Sequence, residues 1–214
     1  MCGIAGPAVF TAAWAVSSWR QTGHVAEVQL SGLAAPDARD PQIMIAGFTA
    51  LGACSIAFGA ALGHTLGPRS AGPWLVTCAG AAAIAAGFLR RDHMLLIGPG
   101  FAGESWHNQA HDLVSVVAYT AMIIAPLALA HRFRDDPDWS SLRRPLLALT
   151  LASGAALVLF SSRAIEPWNG TIQRISVTLP LAAEALAAAR MLSLSAAPSG
   201  AAGAAPHENV SGSV

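Results

Sequence analysis

The sequence contains no lysine: all 12 of its basic residues are arginine. Charge of either sign is scarce, at 11% of residues, less than half of the roughly 25% usual for a soluble domain. A chain so poor in charge cannot clothe a water-exposed exterior, which points to a bilayer. Formal net charge is +0, so no overall field attracts nucleic acid or an acidic substrate. Cysteine is sparse too. Cys2, Cys54 and Cys78 lie in or beside apolar runs without ligand spacing, which argues against a disulfide framework or a metal site and predicts small buried hydrophobes. No basic stretch precedes the first apolar run, because Met1 leads straight into Cys2. That run therefore predicts a retained span rather than a cleaved leader.

What the chain has in abundance is apolar sequence: 54% of residues are hydrophobic and mean hydropathy is +0.50. Residues 2–19, 41–68, 70–89, 113–130 and 145–162 carry no charge, and 175–189 carry only Glu184. A span needs about 20 mostly apolar residues, and at depth such a backbone satisfies itself only as a helix. The expectation is an all-α fold, a polytopic membrane protein built as a compact bundle of six transmembrane helices over residues 1–192. The spans are expected near 2–19, 42–66, 71–90, 107–131, 144–162 and 171–192. The alternating segments of about 10 residues that a β-barrel requires do not occur. Runs such as "GACSIAFGAALG" and "CAGAAAIAAG" let helix backbones approach closely. Residues 193–214, rich in Gly, Ser, Ala and Pro, predict a disordered tail.

Six spans return both termini to one side. Arg69, Arg132, Arg134, Arg143, Arg144 and Arg190 fall there; Arg20, Arg39, Arg90, Arg91, Arg163 and Arg174 fall opposite. The tally is even, but the short connection "HRFRDDPDWSSLRR" concentrates arginines, and acids count little in the orientation rule. Termini and that loop are therefore expected in the cytoplasm.

The richer chemistry lies at the opposite end, in "ESWHNQAHDLVSVVAY" from Glu104 to Tyr119. With His107 at zero and about 100° per residue, His111 falls at about 40°, Ser115 at about 80°, Tyr119 at about 120° and Asp112 at about 140°. The arc is expected to face the bundle interior at headgroup depth. Asp92, Trp106, His107, His111, Asp112, Ser115 and Arg174 then form one polar cluster, joined by Glu27. Arg174, near the start of the sixth helix, is expected to pair with Asp112 or Asp92. Glu184 is an intramembrane acid, either functional or a protonated hydrogen-bond partner of a neighbouring helix. Trp106, Trp139 and Trp168 stand at span ends, where an aromatic belt places them.

Three readings of the cluster compete. His107 and His111, at i and i+4, could hold zinc with a third ligand from Asp92, His93, Asp112 or Glu104, and a zinc-bound water at headgroup depth would suit hydrolysis of lipid headgroups. On that reading Asp92, His107, His111 and Asp112 are the catalytic candidates. The cluster could instead bind a ligand or lipid. The third reading is structural: mutual hydrogen bonds close the bundle's end, with no metal, no cofactor and no catalysis, and with membrane lipids as the partners. The structural reading is preferred, because two good ligands with an ambiguous third make a weak metal site.

"LSGLAAPDARDPQIMIAGFTALG", "LRRDHML", "ESWHNQAHD", "HRFRDDPDW" and "IQRISVTLP" come in an order that resembles the bacterial membrane proteins of domain-of-unknown-function family 998, over roughly residues 5 to 192. The most recognisable part is Asp92 followed by Trp106, His107, His111 and Asp112. The resemblance implies a six-helix integral protein of the bacterial cytoplasmic membrane, distantly similar in architecture to proteins of the Frag1/DRAM/Sfk1 type. In that family the sixth helix often carries a tryptophan near "AAEAL", so Glu184 is not implied to be general.

Overall fold

The computed structural model describes residues 1–21, 26–67, 69–95 and 105–196. Among the described residues the chain forms six α-helices: α1 (Cys2–Arg20), α2 (Pro41–Leu66), α3 (Ala71–Phe88), α4 (Trp106–Arg132), α5 (Arg143–Ser162) and α6 (Asn169–Ala196). No strand occurs among the described residues. Local chemistry explains several starts. Pro41 opens α2, where its missing N–H and preset φ are harmless, and Ser105 caps α4 by accepting from the Asn108 N–H at 3.2 Å. Five helices, all but α1, are long and apolar enough by length and composition to cross a membrane. In α1, serines, tryptophans and a proline dilute the aliphatic content.

Consecutive helices run antiparallel and pack in chain order as a closed ring, α6 returning against α1 and also touching α4. The start of α1 and the end of α6 therefore share one end, the proximal end; the other is the distal end. The α2–α3 interface is made of backbone: a Cβ on Gly52 would overlap the Gly80 carbonyl oxygen, and one on Gly80 the Gly52 carbonyl oxygen. Small residues serve here because close packing, not hydrophobicity, joins helices in lipid. Two apolar clusters fill the ring. The proximal one gathers around Phe58, Leu62, Phe133, Leu146 and Ala187, the distal one around Phe10, Leu33, Met44, Leu51 and Val177.

Several expectations need correction. Helix α6 runs to Ala196, so Ser193–Ala196 are helical rather than the start of a disordered tail; the remainder of the expected tail lies outside the described residues. Trp139 is not a belt residue: it is buried and stacks on Phe133 with ring centroids 4.7 Å apart. The cysteines are not core residues either. Cys2 and Cys78 are exposed and Cys54 is intermediate, all three free, because the ring interior is taken by larger side chains and by glycine contacts.

Leu113, Val116, Val117, Leu127, Leu151, Val158 and Ile175 all face outward. An apolar exterior on this scale marks a surface meant for something other than water. With five spanning-length apolar helices, that something is lipid, and the protein is a multi-pass membrane protein.

Candidate functional site

The distal end is closed by a segment that sequence reasoning treats as a loop. Val28, Leu30, Leu33, Ala34 and Ala35, between α1 and α2, are among the least exposed residues of the chain. Buried backbone must find partners, and this segment takes them from α6. The Thr171 N–H donates to the Ala26 carbonyl at 3.0 Å. The Leu30 N–H donates to Gln173 Oε1 at 2.6 Å. Arg174 Nη1 donates to the Val28 carbonyl at 3.0 Å, and its Nη2 to Ser18 Oγ at 3.0 Å. Gly170 permits this approach, since a Cβ there would overlap the Val28 carbonyl oxygen. The segment is a plug seated in the mouth of the ring.

Arg174 thus departs from expectation. Its partners are neutral oxygens of the plug and of α1, with its guanidinium 5.6 Å from the Trp14 ring centroid, and not Asp112 or Asp92. The plug lies against the first turns of α6 and reaches the guanidinium before any carboxylate of α4 can.

A second latch joins the α3–α4 connection to the start of α4. Asp92 accepts from the Ser105 hydroxyl at 2.5 Å and from the Ser105 N–H at 2.7 Å, while the Asp92 N–H donates to Asn108 Oδ1 at 3.2 Å. The Ser105 hydroxyl and N–H hold the Asp92 carboxyl below the usual carboxylate range. A carboxyl depressed on folding contributes stability above its unfolded value of about 3.9, lost as pH falls through the lower folded value. Wild-type protein is therefore expected to lose more thermal stability between pH 6 and pH 3 than Asp92→Asn does. Equal losses in parallel melting curves would show that the latch contributes nothing.

His111 is buried, with Nδ1 2.6 Å from the Leu89 carbonyl and 3.1 Å from the Ala86 carbonyl. Both partners are acceptors, so Nδ1 carries the proton, and the ring caps carbonyls that the end of α3 leaves without helical donors. Asn108, on the same face, is also buried. The expected inward arc is correct at its middle and wrong at its edges. Asn108, His111, Ser115 and Tyr119 lie along the inward side, but His107 is exposed and its ring lies tilted against exposed Trp106 at 3.7 Å between centroids, and Asp112 is exposed. An arc of about 140° is wider than the contact that α3 and the plug offer. Among the described residues no three His, Cys, Asp or Glu side chains converge on a possible ion; Glu104 and His24 lie outside those residues. Glu184 is half-buried in α6 and accepts from Ser55 Oγ of α2 at 3.0 and 3.1 Å, well away from the distal cluster.

Beneath the plug lies a cavity of about 450 Å³. Phe10, Phe48, Leu51, Met122 and Val177 form its apolar floor; Gln29, Arg91, His111, Asp112, Arg163 and Gln173 stand around its mouth. Arg91 is held to the plug by Nη1 donating to Gln29 Oε1 at 3.0 Å, and Tyr119 and Gln173 both line the cavity. The cavity also reaches sideways between α4 and α5: Val116 lines it although 63% exposed. No residue of α5 beyond Ser153 is buried. Tyr119 and Phe160 face each other there with centroids 6.4 Å apart. Gln29, Arg91, Asn108, Arg163 and Gln173 were missed as site residues. The apolar run "LSGLAA" inside an apparent loop was the signal that could have revealed the plug and, with it, the roof of the cavity.

Fold and site together define a helical multi-pass membrane protein with a plugged, amphipathic cavity at one end. The family model described as protein of unknown function (DUF998) matches residues 4–190. The chain belongs to the DUF998 family. No curated protein and no solved structure matches it.

Proposed function

We propose that the protein is a six-pass bundle of the bacterial cytoplasmic membrane, with both termini in the cytoplasm, that holds a membrane lipid in its distal cavity. The observation that carries this reading is the cavity itself. Its volume lies in the range of about 300–1,000 Å³ usual for small-ligand sites, its floor is apolar, its mouth is polar, and its side opens between α4 and α5 onto the apolar exterior. An acyl chain fits the floor and a headgroup fits the mouth. Helix α1 is the sixth crossing: at 19 residues it is about 28 Å long, and it sits between α2 and α6 in the ring.

Native mass spectrometry of the detergent-solubilised protein tests the reading. Wild type is expected to retain one lipid per chain. Ala118→Trp, which places an indole in the cavity wall, is expected to lose it while melting within a few degrees of wild type. Equal lipid occupancy in a folded variant would remove the cavity as the site. Topology is checked by reporter enzymes fused after residue 196 and inserted at Gly98, expected to report cytoplasmic and exoplasmic sides respectively. The same side for both would refute an odd number of crossings, here α4, α5 and α6, between the two sites.

Zinc-dependent hydrolysis of lipid headgroups through His107 and His111 has weaker support. His111 has only Nε2 left for a metal, since its Nδ1 is committed to main-chain carbonyls, and His107 is exposed and lies against Trp106. Metal analysis finding one zinc per purified chain would reverse that preference.

A further inference from the structure

Arg163 stands at the C-terminal cap of α5 with φ 53 and ψ 18, in the left-handed region. It is one of two non-glycine residues with positive φ among the described residues, the other being Asp40. At a helix C-terminus this conformation is ordinarily given to glycine, which has no Cβ to crowd the carbonyl oxygen. Here an arginine takes it, and the side chain so aimed lines the mouth of the cavity. No ion pair holds it among the described residues. A strained backbone that carries a long cationic side chain into a cavity is the pattern of a residue retained for what it binds.

The surrounding wall says what that is. Among the described residues its charged side chains are Arg91, Arg163 and Asp112, an excess of one positive charge. Arg91 is steadied by Gln29 of the plug, so its remaining N–H donors are presented by a pre-organised guanidinium. Asn169, only 6% exposed, also borders the cavity, and its Oδ1 is buried without a hydrogen-bond partner among the described residues. A buried acceptor left unpaired is unfavourable unless a donor arrives. The vacant requirements are therefore an anion of single charge for two arginines, a hydroxyl for Asn169, and hydrocarbon for the floor.

We infer, building on the lipid-binding reading above, that the cavity takes a phosphodiester lipid with a hydroxylated headgroup, its phosphate bound between Arg91 and Arg163 and its chain entering through the gap between α4 and α5. Arginine suits this role because its planar fork donates in pairs to phosphate oxygens. Val116 and Phe160 flank the entry, and the unburied distal half of α5 leaves that side of the ring open to lipid.

The test titrates delipidated full-length protein in detergent with phosphatidylglycerol, with diacylglycerol of the same chains, and with glycerol 3-phosphate, read by native mass spectrometry. Phosphatidylglycerol is expected to bind at least tenfold more tightly than either of the others. Arg163→Gly relieves the left-handed strain, so it is expected to melt at or above the wild-type temperature while losing at least tenfold in phosphatidylglycerol affinity. Arg163→Lys, which keeps the charge, is expected to lose much less. Wild-type affinity in Arg163→Gly, or a loss of affinity accompanied by a lower melting temperature, would overturn the assignment of Arg163. Equal binding of diacylglycerol would overturn the phosphate assignment and leave a lipid cavity standing. Glycerol 3-phosphate binding as tightly as the lipid would overturn the membrane source of the ligand. No binding of any of the three would bring down the lipid-binding reading as well.

Discussion

Arg174→Ala is expected to destabilise the detergent-solubilised bundle by about 3 kcal/mol, because it strands the Val28 carbonyl and the Ser18 hydroxyl in a buried setting. The guanidinium ties α1, α6 and the plug together, and its contact with the Trp14 ring goes with it. Asp112→Asn, at an exposed position, is expected to change stability by about 0.5 kcal/mol or less. Since the two side chains do not meet, the double variant should match the sum of the singles within about 0.5 kcal/mol. Denaturation in mixed micelles measures all three. A coupling above about 1 kcal/mol would place Asp112 against the guanidinium and contradict the arrangement of the plug.

The second large effect lies at the crossing of α2 and α3. Gly52→Val is expected to cost about 3 kcal/mol, because its Cβ meets the Gly80 carbonyl oxygen and Ile84, and a backbone carbonyl cannot turn aside as a flexible side chain can. Gly63→Ala, on the same helix, is the matched control. Its new methyl would lie 3.6 Å from Pro73 Cβ, an ordinary contact, and alanine favours the helix interior by roughly 0.5–1 kcal/mol. Gly63→Ala should therefore hold or gain stability while Gly52→Val loses it. Equal effects would mean that the Gly52–Gly80 approach is looser than described.

The polar face of α4 shows how far pattern reading reaches. Helical spacing correctly collected His111, Ser115 and Tyr119 on one side, because the 100° step is a property of the backbone alone. It could not say where that face stops. His107 and Asp112 fell outside because the width of a contact is set by the neighbour, here the end of α3. Asn108 was passed over for the same reason: an amide carries no charge to draw notice, yet it sits nearer the centre of the buried arc than either of them. Arg174 was recognised as a buried or rim cation from its place in an apolar helix. Its partners were not legible, since they are a main-chain carbonyl and a serine brought from residues 146 and 156 positions away.

Composition alone determined that this chain lives among lipids as a helical bundle, because scarce charge and long charge-free runs leave no other way to satisfy its backbone. Charged residues marked the helix ends for the same reason, being excluded from hydrocarbon. Only the tertiary structure decided that the first connection turns inward as a plug, that α5 stands away from α4 at the distal end, and that Arg163 is turned toward the space between them. Those features depend on which surfaces meet across the ring, and a linear pattern of polarity records burial without recording the partner.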